Sequence, residues 1–200
     1  MIRNIVFDMG GVIIDYNPQN IVEHFTSDPI VGEKIRKELF ESPYWLMFDA
    51  GVIDEEKLYQ EVANNVYASM RPLLKEVISG WYNFLPELPI GGLVGMLKEK
   101  GYDLYLLSNA SVQFDQYRDA ITVLKDFKGI YVSGFHKLIK PGYFIYHDFM
   151  EEFKLDPKEC LFIDDVMENV EGASNAGIKG IVHDGDVDRL IAKLKEAEVL

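Results

Sequence analysis

The chain has 200 residues, 48% of them hydrophobic and 26% charged. That is enough for one full core with room for a smaller insertion, and too apolar for a disordered chain. The formal charge is −13, from 33 acidic and 20 basic side chains, which excludes nucleic acid and anionic membrane as partners because both require a basic footprint. The single cysteine, Cys160, allows no internal disulfide, and beside an apolar run it reads as a buried, inert thiol. Arg3 and Asp8 interrupt the first ten residues, so no secretory signal develops, and no apolar run approaches the ~20 residues of a membrane span. The cytoplasm is the expected location.

In chain order, Ile5-Val6-Phe7-Asp8 reads as a buried parallel strand, because it is apolar without alternation. It runs into Met9-Gly10-Gly11-Val12. Residues 9–103 then carry almost no strand signal, a stretch far longer than an ordinary βαβ crossover. Helices are expected over residues 18–26 and 72–84. Two more follow Pro29, where Val31, Ile35 and Leu39 recur at i, i+4, i+8, and the N-cap Asp54, where Leu58, Val62 and Val66 repeat that spacing. The pattern predicts a helical cap over residues 17–86, inserted into an α/β core of residues 1–16 and 87–200. Within the insertion, Tyr44, Trp45 and Phe48 form an aromatic cluster that reads as packing between helices. Trp45, Phe48 and Asp49 are the candidates there for substrate contact.

Beyond the insertion, a helix over 90–100 is ended by Gly101 as a cap. Strands follow at 104–108, 130–133, 161–164 and 180–183, with helices at 142–153, 169–175 and 186–197. Alternating strands and helices predict a doubly wound, parallel, Rossmann-like α/β sheet. Such a sheet binds ligands at the carboxyl ends of its strands. Those ends carry Asp8, Ser108-Asn109 and Asp164-Asp165, with Asn169 one helical turn on and Lys140-Pro141 in a loop after the third strand. Converging carboxylates make an all-oxygen donor set that suits Mg²⁺, and a carboxylate beside a metal can attack phosphorus as a covalent nucleophile. Gly10-Gly11 lacks the G-x-G-x-x-G dinucleotide pattern and reads instead as a tight backbone approach to metal and phosphate. His24, His136, His147 and His183 share no ligand spacing. His136 and Lys137 lie close to Lys140 in the chain.

Four segments, FDMGGV, LLSNAS, KP and FIDDVMENVEGA, occur in the order and at the strand ends where the haloacid dehalogenase (HAD) superfamily carries its motifs. On these, the chain resembles that superfamily over essentially its whole length, and in particular the members with a small helical cap. It is most similar to the branch of glucose-1-phosphate phosphatases, which shares the start around Asp8 and Asp15 and the D-x-G-x-I-x-x-E pattern running here from Asp49 to Glu56. The resemblance implies a Mg²⁺-dependent phosphatase acting on a small phosphorylated metabolite, with sugar phosphates as the expected class. It implies Asp8 as the nucleophile forming a phospho-aspartate, and Ser108 with the Asn109 side chain or backbone holding the phosphoryl oxygens. Lys140 would neutralise charge between nucleophile and phosphate. Mg²⁺ would be held by Asp8, the Gly10 carbonyl and Asp165, with Asp164 either a direct ligand or a partner of one, and Asn169 would orient the acidic pair.

One departure matters. Phosphatases of this superfamily usually carry an aspartate two residues after the nucleophile, as acid to the leaving group and then base to water. Here that position is Gly10. General acid–base help is worth about 10²–10⁴-fold. A sugar 1-phosphate, whose acetal oxygen leaves more readily than an ordinary alkoxide, relaxes that need. Asp15 is the next carboxylate along, although a turn residue before Tyr16-Asn17-Pro18 accounts for it. The departure keeps three alternatives in view: a β-phosphoglucomutase-like phosphotransferase, a haloacid dehalogenase attacking carbon without metal, and a phosphate-binding protein with weakened turnover. Oligomeric state is not encoded in any of these signals.

Overall fold

The computed structural model describes residues 1–200. Five parallel strands form one sheet: β1 (Asn4–Phe7), β2 (Asp103–Ser108), β3 (Gly129–Val132), β4 (Cys160–Asp164) and β5 (Lys179–Val182), in the order β3-β2-β1-β4-β5. β1 is fully buried and pairs on both sides, with Ile5 opposite Leu104 and Leu161. Alternate side chains face opposite layers. Ile5, Phe7, Leu104, Leu106, Leu161 and Ile163 pack on one side with helices α6 (Gly91–Glu99) and α11 (Val187–Glu196). Val6, Tyr105, Leu107 and Phe162 pack on the other with α9 (Tyr143–Phe153) and α10 (Met167–Asn175). With both faces covered, the strands need no polar alternation, which is why they read as continuous apolar runs. Cys160 lies in this second layer, fully buried, and burial pushes its thiol up to about 12. No helix is long and apolar enough to cross a membrane.

Between β1 and β2 the chain builds α1 (Pro18–Glu23), α2 (Pro29–Phe40), α3 (Pro43–Asp49), α4 (Glu55–Ala63) and α5 (Arg71–Gly80). The first three start alike. Asn17, Asp28 and Ser42 each accept a backbone N–H of the first turn, and proline follows at the first helical position. Such a cap is worth about 1 kcal/mol, and proline there loses no hydrogen bond. The expected helix over 72–84 instead ends at Gly80, which leaves helical geometry with φ −141°, and continues as a short 3₁₀ turn over Trp81–Phe84. Residues 43–49, met in the sequence as an aromatic cluster, form the regular helix α3, with Ser42 Oγ accepting from Trp45 N–H at 3.1 Å. Two short helices, α7 (Phe114–Tyr117) and α8 (Ser133–His136), follow β2 and β3.

The chain leaves the sheet and returns to it at one place. Asp15 N–H donates to Pro86 C=O at 2.9 Å and Leu88 N–H to Ile13 C=O at 2.8 Å. The inserted helices share the apolar layer of the sheet rather than forming a separate core, and Trp45, Phe48, Leu58 and Trp81 are buried in it.

Candidate active site

The carboxyl ends of β1, β2 and β4 lie side by side at the centre of the sheet. Asp8 follows β1 directly, and its N–H donates to Ile163 C=O at 2.8 Å, which carries the strand pairing one residue further. Lys140 arrives from the loop before α9 and is 2% exposed. Its Nζ stands 2.7 Å from Asp8 Oδ1 and 2.7 Å from Asp164 Oδ2. The second contact is a hydrogen bond, whereas the first is off axis and leaves Asp8 Oδ1 without a hydrogen-bond donor. Burial alone would lower the Lys140 pKa, but the two carboxylates outweigh it and hold the ammonium above its ordinary range. Asp8 is pushed up to about 7, by burial first, with Lys140 opposing and the Asp164 charge adding.

Asp164 is fully buried and ringed by donors. Besides Lys140, it accepts Val166 N–H at 2.8 Å and Asn169 Nδ2 at 3.0 and 3.1 Å. Asn169 therefore orients Asp164 and not Asp165. Asp165 is exposed to the cavity, and its carboxyl lies above its ordinary range through partial burial and then the Asp164 charge. A β-carbon on Gly11 (φ +70°) would stand 2.2 Å from Asp165 Oδ2, so only glycine lets that carboxylate approach.

The carboxylates of Asp8, Asp164 and Asp165 have one oxygen each within 4.8 Å of one another. With Lys140 they carry net negative charge, since three acids face one base. The Gly10 carbonyl accepts no main-chain hydrogen bond. An oxygen-only donor set and excess negative charge fit a hard divalent cation such as Mg²⁺.

A cavity of about 270 Å³ opens above these groups, with Asp8, Gly10, Lys140 and Asp165 on its floor. Its wall comes from the inserted helices and α7. Phe40, Trp45, Trp81 and Tyr117 line it, with Tyr16 and Asp49. Asp8, Gly10, Asn109, Lys140, Asp165 and Asn169, all chosen from the sequence, thus meet at one cavity. Ser108 does not line it. It ends β2, 1% exposed, beneath the floor. Asn109 lines the cavity, but both ends of its side-chain amide bond the Lys140 backbone. Asp15 opens onto a different depression beside His24 and Phe84, which removes it as a stand-in acid. His136 turns away, stacking on Tyr131 and facing Asp148 and Glu152. Phe48 is core. Tyr16, Trp81 and Tyr117 carried no signal in the sequence, because their approach to Asp8 is a product of tertiary packing.

Residues 2–177 match the family described as haloacid dehalogenase-like hydrolase. The chain is 26% identical over 177 residues to a sesquiterpene phosphatase from Aspergillus oryzae, covering 88% of this chain and 87% of that protein. It is 23% identical over 188 residues to a D-ribitol-5-phosphate phosphatase from Bacteroides thetaiotaomicron, covering 90% of each. Among solved structures, a HAD-family enzyme from Bacteroides thetaiotaomicron in complex with magnesium and inorganic phosphate superposes with a TM-score of 0.74 at 25% identity, covering 95% of this chain and 99% of that one.

Proposed function

From the premise that the chain belongs to the haloacid dehalogenase-like hydrolases, we propose that it is a Mg²⁺-dependent phosphatase of small phosphorylated metabolites, with sugar phosphates as the preferred class. The observation that carries this reading is Lys140, whose ammonium bridges Asp8 and Asp164 at 2.7 Å on the floor of the cavity. A phosphate dianion brought to Asp8 meets repulsion that one lysine offsets only in part. Bound Mg²⁺ would supply the remaining neutralisation, held by Asp8, Asp165 and the Gly10 carbonyl with Asp164 behind them.

The chemistry then falls to this chain's own residues. Asp8 attacks phosphorus, a phosphorus–Oδ bond forms, and the bond to the leaving oxygen breaks. Lys140 and the Asn109 N–H steady the transferring oxygens, as phosphoryl transfer demands charge stabilisation and positioning more than covalent help. No side chain at Gly10 protonates the leaving oxygen, so its proton comes from solvent. Water next attacks the same phosphorus and releases phosphate, restoring the Asp8 carboxylate. The helices of residues 17–86 act as a cap on the core of residues 1–16 and 87–200, excluding bulk water and supplying the leaving-group wall.

The Asp164 and Asp165 carboxylates beside Asp8 argue against the dehalogenase alternative, since a haloacid's own carboxylate would be repelled there. Gly10 argues against a mutase, which must move protons on sugar hydroxyls. A phosphate-binding protein would have no use for a carboxylate nucleophile lining the floor of the cavity. The sugar-phosphate preference is supported by the aromatic wall, which can pack a ring, and by the polyol phosphatase among the relatives. The strongly acidic surface fits a diffusible substrate in the cytoplasm.

The test is turnover of a panel of sugar, alditol and nucleoside phosphates by the wild type and Asp8→Asn, with Mg²⁺ or excess EDTA. Activity that needs both Mg²⁺ and Asp8 is expected. Full activity in EDTA, with halide release from 2-chloropropionate, would return the dehalogenase reading.

A further inference from the structure

The cavity carries polar groups that the phosphoryl chemistry does not use. Tyr117, the last residue of α7, lines the cavity at 6% exposure, and its buried hydroxyl has no hydrogen-bond partner. A buried phenol ordinarily finds a partner, and leaving one unmade costs about 1–3 kcal/mol. Asp49, the last residue of α3, lines the same cavity. Were it ionised, its carboxylate would raise the Tyr16 and Tyr117 phenols further than burial alone does, so both phenols stay protonated. No ion pair reaches Asp49. Burial pushes its carboxyl well above the carboxylate range, and only the Ser111 amide opposes that. A neutral carboxyl can both donate and accept, as can two phenols. The surrounding wall is otherwise aromatic, with Phe40, Trp45 and Trp81.

Asp49 is also held to the core. Ser133 Oγ donates to the Asp49 carbonyl at 2.6 Å and accepts from the Ala110 N–H at 2.9 Å. Two residues on, Gly51 (φ +65°) lies so close to the Gly134 carbonyl that a β-carbon there would stand 2.0 Å from it. The α3 end is thus fixed against the start of α8, which is itself tied to the loop that follows β2.

We infer that Asp49, Tyr16 and Tyr117 form a hydroxyl-binding subsite for the leaving group, which selects phosphate esters of ring-sized polyhydroxylated alcohols. This rests on the phosphatase reading and deepens it. A sugar ring offers hydroxyls to the three polar groups and an apolar face to the indoles. A purely apolar alcohol such as a prenyl chain would leave the Tyr117 hydroxyl without a partner and offer none to Asp49 or Tyr16, and sites built to bond a hydroxyl reject analogues that lack it.

The experiment measures kcat/KM with Mg²⁺ for phenyl phosphate, for hexose and alditol phosphates, and for a prenyl monophosphate. It uses the wild type, Tyr117→Phe and Asp49→Leu. Wild type is expected to prefer the hydroxylated esters to the prenyl ester. In each variant the ratio of kcat/KM for the best hydroxylated ester to that for phenyl phosphate should fall about tenfold, mostly through KM, as for one lost hydrogen bond left unpaired on the ligand. Tyr117→Phe removes a hydroxyl with no partner, so the fold should keep its stability. A ratio within about twofold of wild type in either variant, or a wild type that prefers the prenyl ester, overturns the subsite while leaving the phosphatase reading intact. No turnover of any ester, phenyl phosphate included, removes the phosphatase reading and the subsite with it.

Discussion

Asn109 and Lys140 grip each other through both ends of one amide. Asn109 Oδ1 accepts the Lys140 N–H at 2.9 Å, and its Nδ2 donates to the Lys140 carbonyl at 3.1 Å. The pair copies a two-bond backbone ladder with a side chain, and so ties the end of β2 to the loop that delivers the site's ammonium. Asn109→Ala removes both bonds and should cost about 2 kcal/mol, at about 1 kcal/mol each. Asn109→Asp keeps the first bond but sets an anionic oxygen against the Lys140 carbonyl. Both variants should lose kcat more than KM. Unfolding midpoints and phosphatase kinetics check this, and wild-type kcat in Asn109→Asp would release the residue from any positioning role.

Lys140 itself holds two buried carboxylates apart. Removing one partner from a buried ionic cluster costs about 3–5 kcal/mol, because the remaining charges stay desolvated. Lys140→Met should therefore destabilise the metal-free protein by about that much, read as a fall in the urea midpoint in EDTA. Adding Asp8→Asn to it should recover part of the loss, since one unpaired acid disappears. A double variant no more stable than Lys140→Met would mean that Asp164 alone carries the penalty.

Gly11 is the position where the backbone serves a neighbour. Gly11→Ala places a methyl on the Asp165 carboxylate at a positive φ, a conformation costing an L-residue about 1–2 kcal/mol. Asp165 must move. The apparent Mg²⁺ requirement should rise by about tenfold, measured by titrating activity with the metal, while protection by inorganic phosphate changes less. An unshifted Mg²⁺ titration would separate Asp165 from metal binding.

At Gly10 the φ is ordinary, and a β-carbon would meet Tyr16 Cβ at 3.3 Å, so a side chain fits after a shift of tenths of an ångström. Gly10→Asp should help poor leaving groups such as sugar 6-phosphates most. A gain at the low end of general acid catalysis, ~10²-fold, corresponds to about 2.7 kcal/mol of barrier. Equal rates for aryl and alkyl phosphates in the unmodified enzyme would show that an acid already serves the leaving oxygen.

His183 gives a pH signature away from the site. It is 3% exposed with an unbonded Nδ1, and burial holds its pKa below the usual histidine value. Because the folded pKa is depressed, the unfolded chain takes up the proton first as pH falls. Stability contributed by neutral His183 is complete above the unfolded value, about 6.5, and is lost below it. Wild type should therefore lose stability relative to His183→Gln as pH falls from about 7 to about 5.5. Parallel urea midpoints for the two proteins across that range would contradict it.

How far the sequence reached depended on whether a residue's role is local. Asp8, Asp164 and Asp165 were legible because a polar residue at the end of a buried apolar strand has one open direction, toward the sheet edge; Lys140, in the loop before α9, was legible only through the KP segment of the family motifs. The same rule does not say which way a side chain at a strand end turns: Ser108 is buried and does not line the cavity, and of the side chain or backbone expected to serve at Asn109, the side chain is engaged by Lys140. Both turns are decided by the loop opposite. α3 was obscured because five of its residues are aromatic or large and apolar, which hides a helical period even though Ser42-Pro43 announced its start. Tyr16 and Tyr117 reach Asp49 across about 30 and 70 residues of chain respectively, and no spacing rule spans such a distance.

The paired departure at Ile13–Asp15 and return at Pro86–Leu88 has an evolutionary consequence. Chain ends that lie together can accept inserted or exchanged segments with little disturbance to the host. The five helices between them are therefore exchangeable as one segment: recombination at these two points would install a different substrate wall, and the strands with their carboxylates would keep their place where the new segment refills the apolar layer these helices share with the sheet.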